Sequence, residues 1–211
     1  MSPTTRGARS IQRILDAAAR MFGREGFRGA SMSAVARAAG VSKGLLHYHF
    51  QSKEHLLIEA VRATFRQLHH RFDERFQRGE RGLGPTVEAL DALWASVYDM
   101  RSWAPFMVET MSLGTLAGPL RDDLFAFYGE SEQMLVDGIG ELFDGAPLLQ
   151  LPPERLARLV RVCLHGLVVE LSYAQDDDDL AEVQRAYDDL RALFIRLAEA
   201  GADHDPSRES P

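Results

Sequence analysis

The sequence predicts an all-α protein. Apolar residues recur at steps of three and four along nearly the whole 211-residue chain, which is the spacing of one face of a helix. No stretch of four to eight residues alternates apolar and polar side chains as a half-buried strand would. Glycine and proline clusters interrupt the pattern at intervals, so the chain is expected to form separate helices joined by breaks.

Three helices are predicted in the first quarter of the chain. The first carries an apolar stripe and ends near the glycines at positions 23 and 26. Ser31 is a natural N-cap for a short second helix, and Gly40 supplies the left-handed turn after it. Ser42 then caps a third helix that extends to about Phe50.

Longer helices are predicted in the rest of the chain. Ser52 caps a helix that reaches about Arg78, and Thr86 caps another after a glycine-rich linker at 79–85. Proline and glycine then predict breaks at Pro105, at 114–119 and at 145–147. The last two helices are expected at about 153–174 and 181–200.

These helices are predicted to form two domains. Residues 1–53 form a three-helix domain and 54–78 a connecting helix. Residues 79–200 form a larger helical domain, and the polar segment 201–211 is expected to be a disordered tail.

Charge is distributed unevenly between these parts. Residues 1–53 hold nine Lys and Arg against two acids, a net charge of +7, whereas the whole chain has a formal net charge of −7. The remainder is therefore −14. A basic first quarter favours binding to a polyanion, while an acidic remainder is repelled by it.

Residues 31–50 have the pattern of a helix-turn-helix, in which the second helix enters the major groove of DNA. The run from Ser31 to Leu56 reads SMSAVARAAGVSKGLLHYHFQSKEHL. It closely resembles the signature of the tetracycline-repressor (TetR) family: a Ser/Thr-capped helix, Ala-Gly-Val-Ser, a short helix ending in aromatic residues, and Ser-Lys-Glu-x-Leu. The close resemblance covers residues 10 to about 60, and the remainder agrees in length and helical pattern.

The resemblance implies a cytoplasmic regulator that binds double-stranded DNA as a homodimer and responds to a small-molecule effector. Helix N-termini and hydroxyls bind phosphate, and Lys and apolar side chains read base edges. The implied DNA-binding residues are Ser31, Ser33, Lys43, Gly44, Leu45, His47, Tyr48, His49 and Lys53. Leu45 and His47 depart from the usual family residues, so the operator sequence stays open.

An effector pocket is expected among aromatic and methionine residues in the middle of the chain, although ordinary core packing competes with this interpretation. Its predicted lining residues are Trp94, Tyr98, Trp103, Phe106, Met107, Met111, Phe125 and Tyr128. Glu109 and Asp99 are candidates for orienting a polar group, or are solvated charges on a helix face.

The last two helices are expected to form the dimer interface as a four-helix bundle with their symmetry mates, because their apolar stripes exceed what one neighbour covers. The predicted interface residues are Leu156, Val160, Cys163, Leu167, Leu171, Tyr187, Leu190 and Phe194. A two-fold dimer reads a palindromic operator.

The sequence lacks the motifs that would indicate a membrane protein, a metal-binding protein or an enzyme. The sequence contains no apolar run of about 18 residues, so no membrane span is expected. No metal-ligand spacing, cofactor motif or catalytic pair is found, and none of these sites is expected. A ligand-independent DNA-binding dimer is the alternative, followed by an all-α carrier or enzyme.

Overall fold

The computed structural model describes residues 5–75, 81–113, 119–143 and 151–202, and it confirms the all-α fold over these ranges. The helices are α1 (Thr5–Gly29), α2 (Met32–Ala38), α3 (Lys43–His49), α4 (Lys53–Arg75), α5 (Leu83–Asp99), α6 (Ala104–Leu113), α7 (Pro119–Phe143), α8 (Pro153–Tyr173) and α9 (Asp177–Ala202). A 3₁₀ turn, Arg101–Trp103, precedes α6. The predicted breaks at 114–118 and 145–147 and the tail beyond 202 lie outside the described residues.

The helices pack into two compact units. One contains the chain up to His70 together with Met100–Phe127, and the other contains Arg71–Asp99 together with the chain from Tyr128. Both units are therefore discontinuous in sequence. Helix α6 lies within residues 79–200, the predicted C-terminal domain, whereas in the structure it packs against α1 and belongs to the first unit.

In the first unit α1 is longer than predicted, because it continues past Gly23 and through a kink at Gly26. A Cβ on Gly23 would lie 2.7 Å from the backbone nitrogen of Phe106, so glycine is what lets α6 approach α1 this closely. The Phe106 ring is buried and stacks on Phe22 with centroids 6.2 Å apart. Gly23 was predicted to lie near the end of the first helix, but a tertiary contact with α6 explains the glycine.

In the second unit α5 packs against α9 through stacked rings and an ion pair. The Trp94 and Tyr187 rings are 4.9 Å apart and nearly parallel. The Asp91 carboxylate accepts hydrogen bonds from the Tyr187 hydroxyl at 2.5 Å and from Arg191 Nε at 2.8 Å. Burial and the hydrogen bond to Asp91 raise the pKa of Tyr187 well above its usual range, so the phenol stays protonated.

Two helices of this unit begin earlier than predicted. Helix α5 begins at Leu83, and Thr86 is a buried residue whose hydroxyl donates to the Gly82 carbonyl at 2.8 Å, so it is not the cap. Proline in a first turn leaves helical hydrogen bonding intact, which allows the early start. Helix α9 begins at Asp177 because the carboxylate of Asp176 accepts the Asp179 amide hydrogen at 2.9 Å.

The contact between α1 and α6 gives a direct test. We expect Gly23→Ala to lower the unfolding temperature, because the new methyl group overlaps the α6 backbone at a cost of about 1–3 kcal/mol. Gly129→Ala in α7 is the matched control, since nothing lies within 4 Å of its added Cβ and alanine favours a helix by about 1 kcal/mol. Equal stabilisation of both variants would contradict the close packing.

The stability of the protein should depend on pH through His165 on α8. Its ring packs edge-to-face on Tyr128 with the ring centroids 6.0 Å apart. Desolvation and then the charge of Arg161 lower the pKa of His165 below its ordinary 6.5. Below pH 6.5 the unfolded chain therefore binds this proton more readily than the folded chain, and the free energy of unfolding falls as the pH falls. Urea unfolding at pH 7 and pH 5 should show a smaller loss for His165→Gln than for the parent. An equal loss of unfolding free energy in His165→Gln and in the parent would contradict a role of His165 in this pH dependence.

Candidate nucleic-acid interface

Helix α2 begins and ends where the sequence predicts, with side chains and backbone closing both ends. The Ser31 hydroxyl oxygen accepts the Ala34 amide hydrogen at 3.2 Å. At the other end, Gly40 has φ +64° and donates to the Arg37 carbonyl at 3.1 Å, while Val41 donates to the Ala36 carbonyl at 3.0 Å. This pair of bonds is a Schellman motif, which needs a left-handed residue at the glycine position.

Helix α3 starts two residues later and buries one side. Ser42 caps it by accepting the Leu45 amide hydrogen at 3.1 Å. Leu46 and, just after the helix, Phe50 are buried in the first unit, where Val35 and Ala36 from α2 are also buried. The two short helices are therefore held as a pair by their caps, the turn and a shared core.

The opposite side of α3 is open to solvent. Lys43, Gly44, His47 and Tyr48 are all exposed and fall within about 140° of helix circumference. Tyr48 is 81% exposed, and a large ring so placed is typical of a binding surface. The predicted residues Ser31 and Ser33 are likewise exposed, at the start of α2.

Two further residues predicted to contact DNA, Leu45 and His49, are only partly accessible. Leu45 is half-buried. His49 is also half-buried, because its ring packs on Tyr48 with centroids 5.1 Å apart and on Phe50 at 6.3 Å. His49 thereby supports the Tyr48 ring beside it.

Lys53 has a different environment from the one expected of a phosphate contact. Its Nζ donates to the Ala30 carbonyl at 3.2 Å and to the Arg28 carbonyl at 3.5 Å, and lies 4.6 Å from the centre of the Phe27 ring. The amine is thus engaged with the end of α1 and with Ala30, which follows it. The spacing of a motif cannot reveal this, since it places the residue but not its side chain.

Basic residues beyond the predicted DNA-binding set also lie on the surface of this unit. A groove of about 350 Å³ lies between α1 and α2, with Arg20, Arg24 and Arg37 along it. Arg24 is paired with Glu25 at 2.6 Å. The charge count indicated these residues only collectively, and none was singled out by the sequence analysis.

The predicted effector residues divide between the two units. Trp103, Phe106, Met107, Met111 and Phe125 belong to the first, and Trp94, Tyr98 and Tyr128 to the second. Phe106 and Trp94 are buried in the aromatic contacts described above, which favours the packing interpretation for these two. Phe125 is 56% exposed, with the Arg121 guanidinium 5.1 Å from its ring centre. Glu109 accepts a backbone hydrogen bond from Phe27.

The predicted dimer residues are of two kinds. Leu156, Leu167, Leu171 and Tyr187 are buried within the protomer, so they offer no accessible surface. Val160, Cys163 and Phe194 are half-buried, and Leu190 is exposed. The predicted interface did not include a second set of exposed apolar residues on the same helices: Leu159, Val162, Tyr173, Leu193 and Leu197.

Metal sites and membrane-spanning helices are absent from the described residues. No group of three or more His, Cys, Asp or Glu side chains in those ranges is arranged to hold a metal ion. In the same ranges, no helix combines the length and the apolar composition that crossing a membrane requires.

Residues 14–60 match the family model described as bacterial regulatory proteins, tetR family. Over 55 residues the chain is 46% identical to the HTH-type transcriptional regulator BetI of Agrobacterium fabrum, covering 26% of this chain and 27% of that protein. It is 29% identical over 133 residues to the HTH-type transcriptional repressor KstR of Mycolicibacterium smegmatis, covering 63% and 58%. These matches span less than two thirds of the curated relatives' length.

Solved structures share the fold over most of the chain. A protein from Rhodococcus sp. described as a TetR-family transcriptional regulator has a TM-score of 0.73 at 19% identity, covering 90% of this chain and 99% of its own. A transcriptional regulator from Saccharomonospora viridis in complex with choline has a TM-score of 0.66 at 19% identity, covering 86% and 95%. The similarity therefore extends beyond the N-terminal helices.

Gly44 allows stability and DNA binding to be separated. Nothing lies within 4 Å of a Cβ added there, so Gly44→Ala should raise the free energy of unfolding by about 1 kcal/mol through helix propensity. If DNA approaches the α3 backbone at this glycine, the same methyl group should weaken DNA binding about tenfold, or 1.4 kcal/mol. Gly129→Ala is the control, with unchanged DNA affinity by fluorescence anisotropy. Full DNA affinity of Gly44→Ala would place the contact elsewhere.

Proposed function

The chain belongs to the TetR family of bacterial regulatory proteins, and on this premise we propose that it is a cytoplasmic, homodimeric transcriptional repressor. In this proposal α3 enters the major groove of a palindromic operator, and a small-molecule effector changes the affinity for DNA. The observation that carries the proposal is the exposed α3 face of Lys43, Gly44, His47 and Tyr48, opposite the buried Leu46.

Each residue of this face has chemistry suited to DNA. Lys43, on the first turn of α3, reaches a guanine edge or a phosphate, and Gly44 lets the backbone approach. His47 offers a ring nitrogen to a base edge or phosphate. Tyr48 and His49 bind phosphate through a hydroxyl and a ring N–H, and the exposed Ser31 and Ser33 do so at the start of α2. Leu45 meets a thymine methyl group with its accessible part.

Dimerisation is proposed through the exposed apolar stripes of α8 and α9. On α8, Leu159, Val162 and Tyr173 lie at heptad spacing, with the exposed Gly166 between them. On α9, Leu190, Leu193 and Leu197 continue the spacing at steps of three and four. Apolar stripes of this length are normally covered in a folded protein, and a second copy of the same helices covers them in a four-helix bundle.

The residues first predicted for the interface then have a supporting role. Buried Leu156, Leu167 and Leu171 hold α8 in the protomer, and Tyr187 joins α9 to α5. Val160, Cys163, Leu190 and Phe194 remain interface candidates because part of each is accessible. In a two-fold dimer the two α3 helices meet successive major grooves about 34–36 Å apart, which requires a palindromic operator.

The effector is proposed to bind in the first unit, among the half-buried residues Trp103, Met107 and Met111. Met and aromatic side chains suit a largely apolar ligand. The choline complex of the Saccharomonospora viridis regulator supports the view that this fold can hold a small molecule. A dimer that binds DNA without any ligand is the alternative, and it predicts that no compound changes DNA affinity.

In vitro selection from a random pool of duplexes tests the DNA-binding function. We expect enrichment of palindromic sequences whose affinity falls steeply with salt, because Lys and Arg displace counterions from phosphates. Screening small apolar amines and acids against the selected duplex then separates a ligand-responsive regulator from the alternative. Failure to enrich any duplex at low salt would refute the proposed function.

The dimer interface can be tested with two arginine substitutions on α9. Leu193 is 54% exposed and lies on the apolar stripe, so Leu193→Arg should give monomers in sedimentation experiments by burying an unpaired charge in the interface. Ala192 is also exposed but lies about 100° away around the helix, and Ala192→Arg should leave the dimer intact. Dimers in both variants, or monomers in both, would place the interface elsewhere.

A further inference from the structure

Residues 26–30, which comprise the end of α1 after its kink and the residue that follows it, are held from two sides by charged groups. We call this segment the junction. Gly26 within it has φ 71° and ψ 161°, a conformation that other residues rarely adopt. The junction ends immediately before Ser31, whose hydroxyl caps α2. The junction therefore directly adjoins the first turn of α2.

Glu109 holds the junction from the α6 side. Its Oε1 accepts the Phe27 amide hydrogen at 2.5 Å, although the two residues are 82 positions apart in sequence. A kink turns backbone amides away from their helical acceptors, and the carboxylate accepts one of them here. A hydrogen bond between an amide and a charged carboxylate in a half-buried place is among the stronger kinds.

Lys53 holds the junction from the α4 side. Its Nζ donates to the Arg28 and Ala30 carbonyls and lies over the Phe27 ring. The carboxylate thus binds a donor of the junction and the amine binds its acceptors. Glu109, Lys53 and the junction all belong to the same compact unit, in which α1 also touches α6 at Gly23.

We propose that Glu109 is a positioning residue for DNA binding: from α6 it fixes the junction, and through the junction it fixes the orientation of α2 and α3. Lys53 has the same role from α4. This inference rests on the proposed function. It also replaces the interpretation of Glu109 as a group that orients an effector, since its carboxylate oxygen is bound to the Phe27 amide.

The first experiment needs no DNA. Amide hydrogen exchange on the full chain should show Phe27 exchanging about tenfold or more faster in Glu109→Ala than in the parent, since the amide loses a charged acceptor. Glu109→Gln keeps an oxygen acceptor, so it should restore most of the protection. Asp123→Ala, which removes an exposed carboxylate in the same unit, is the matched control. Unchanged exchange at Phe27 in Glu109→Ala would overturn the proposal.

The second experiment uses the duplex that the parent protein selects from a random pool. Glu109→Ala should weaken binding about tenfold or more, while Glu109→Gln stays within about threefold and Asp123→Ala is unchanged. Parent-like affinity of Glu109→Ala, despite faster exchange at Phe27, would show that the junction does not position the DNA-reading helices. If the parent selects no duplex, the proposed function fails, whereas the exchange experiment still tests the junction contact.

Lys53→Met separates positioning from phosphate binding. Methionine keeps an apolar stem over Phe27 but loses the Nζ donors. If Lys53 is a positioning residue, Lys53→Met lowers the affinity for DNA and leaves the salt dependence of that affinity unchanged, because no counterion release is lost. A phosphate contact instead lowers the slope of log affinity against log salt by about 0.9. That reduced slope, with unchanged exchange at the junction, would overturn the role proposed for Lys53.

Discussion

The surface that we propose for DNA recognition depends on the left-handed turn at Gly40. Its left-handed conformation closes α2 with two backbone hydrogen bonds, and α3 starts three residues later at Lys43, so the turn decides which side of α3 is buried. With Leu46 turned into the core, Lys43, Gly44, His47 and Tyr48 must face solvent together. A Cβ at position 40 would meet little steric hindrance, since the nearest atom is a distant arginine nitrogen at 3.9 Å. The requirement for glycine there is therefore conformational.

Local signals in the sequence were sufficient for the helix-turn-helix and insufficient where tertiary contacts decide. Ser31, Ser42 and Ser52 cap their helices as predicted, because a cap is an interaction between a side chain and an amide three residues away. Gly23 and Thr86 were interpreted by the same local rules, yet one lies within a helix against α6 and the other is a buried residue of α5. Patterns of neighbouring residues in the sequence cannot predict a contact with a residue far away in the chain.

In the candidate interfaces, too, local patterns predicted some features, while tertiary contacts decided others. On α8 and α9 the sequence carries two apolar stripes per helix, and periodicity cannot say which stripe packs inside the protomer; burial shows that Leu167 lies inside and Leu193 outside. The family motif placed Lys53 at the start of α4 but could not show its Nζ on two backbone carbonyls. The exposed face of α3 was predictable because a seven-residue helix with one buried leucine leaves little choice.

The composition of the first unit bears on how an effector could act. A ligand changes DNA affinity only by binding one arrangement of the protein more tightly than another, and a hundredfold preference corresponds to about 2.7 kcal/mol. Helix α6 carries the half-buried Met107 and Met111 and, two residues from each of them, the carboxylate of Glu109 that holds Phe27. An effector that displaces α6 must also break that hydrogen bond or move the junction with it. Because α6 belongs to the same unit as α2 and α3, the two arrangements that the proposed regulation requires can differ within this unit alone.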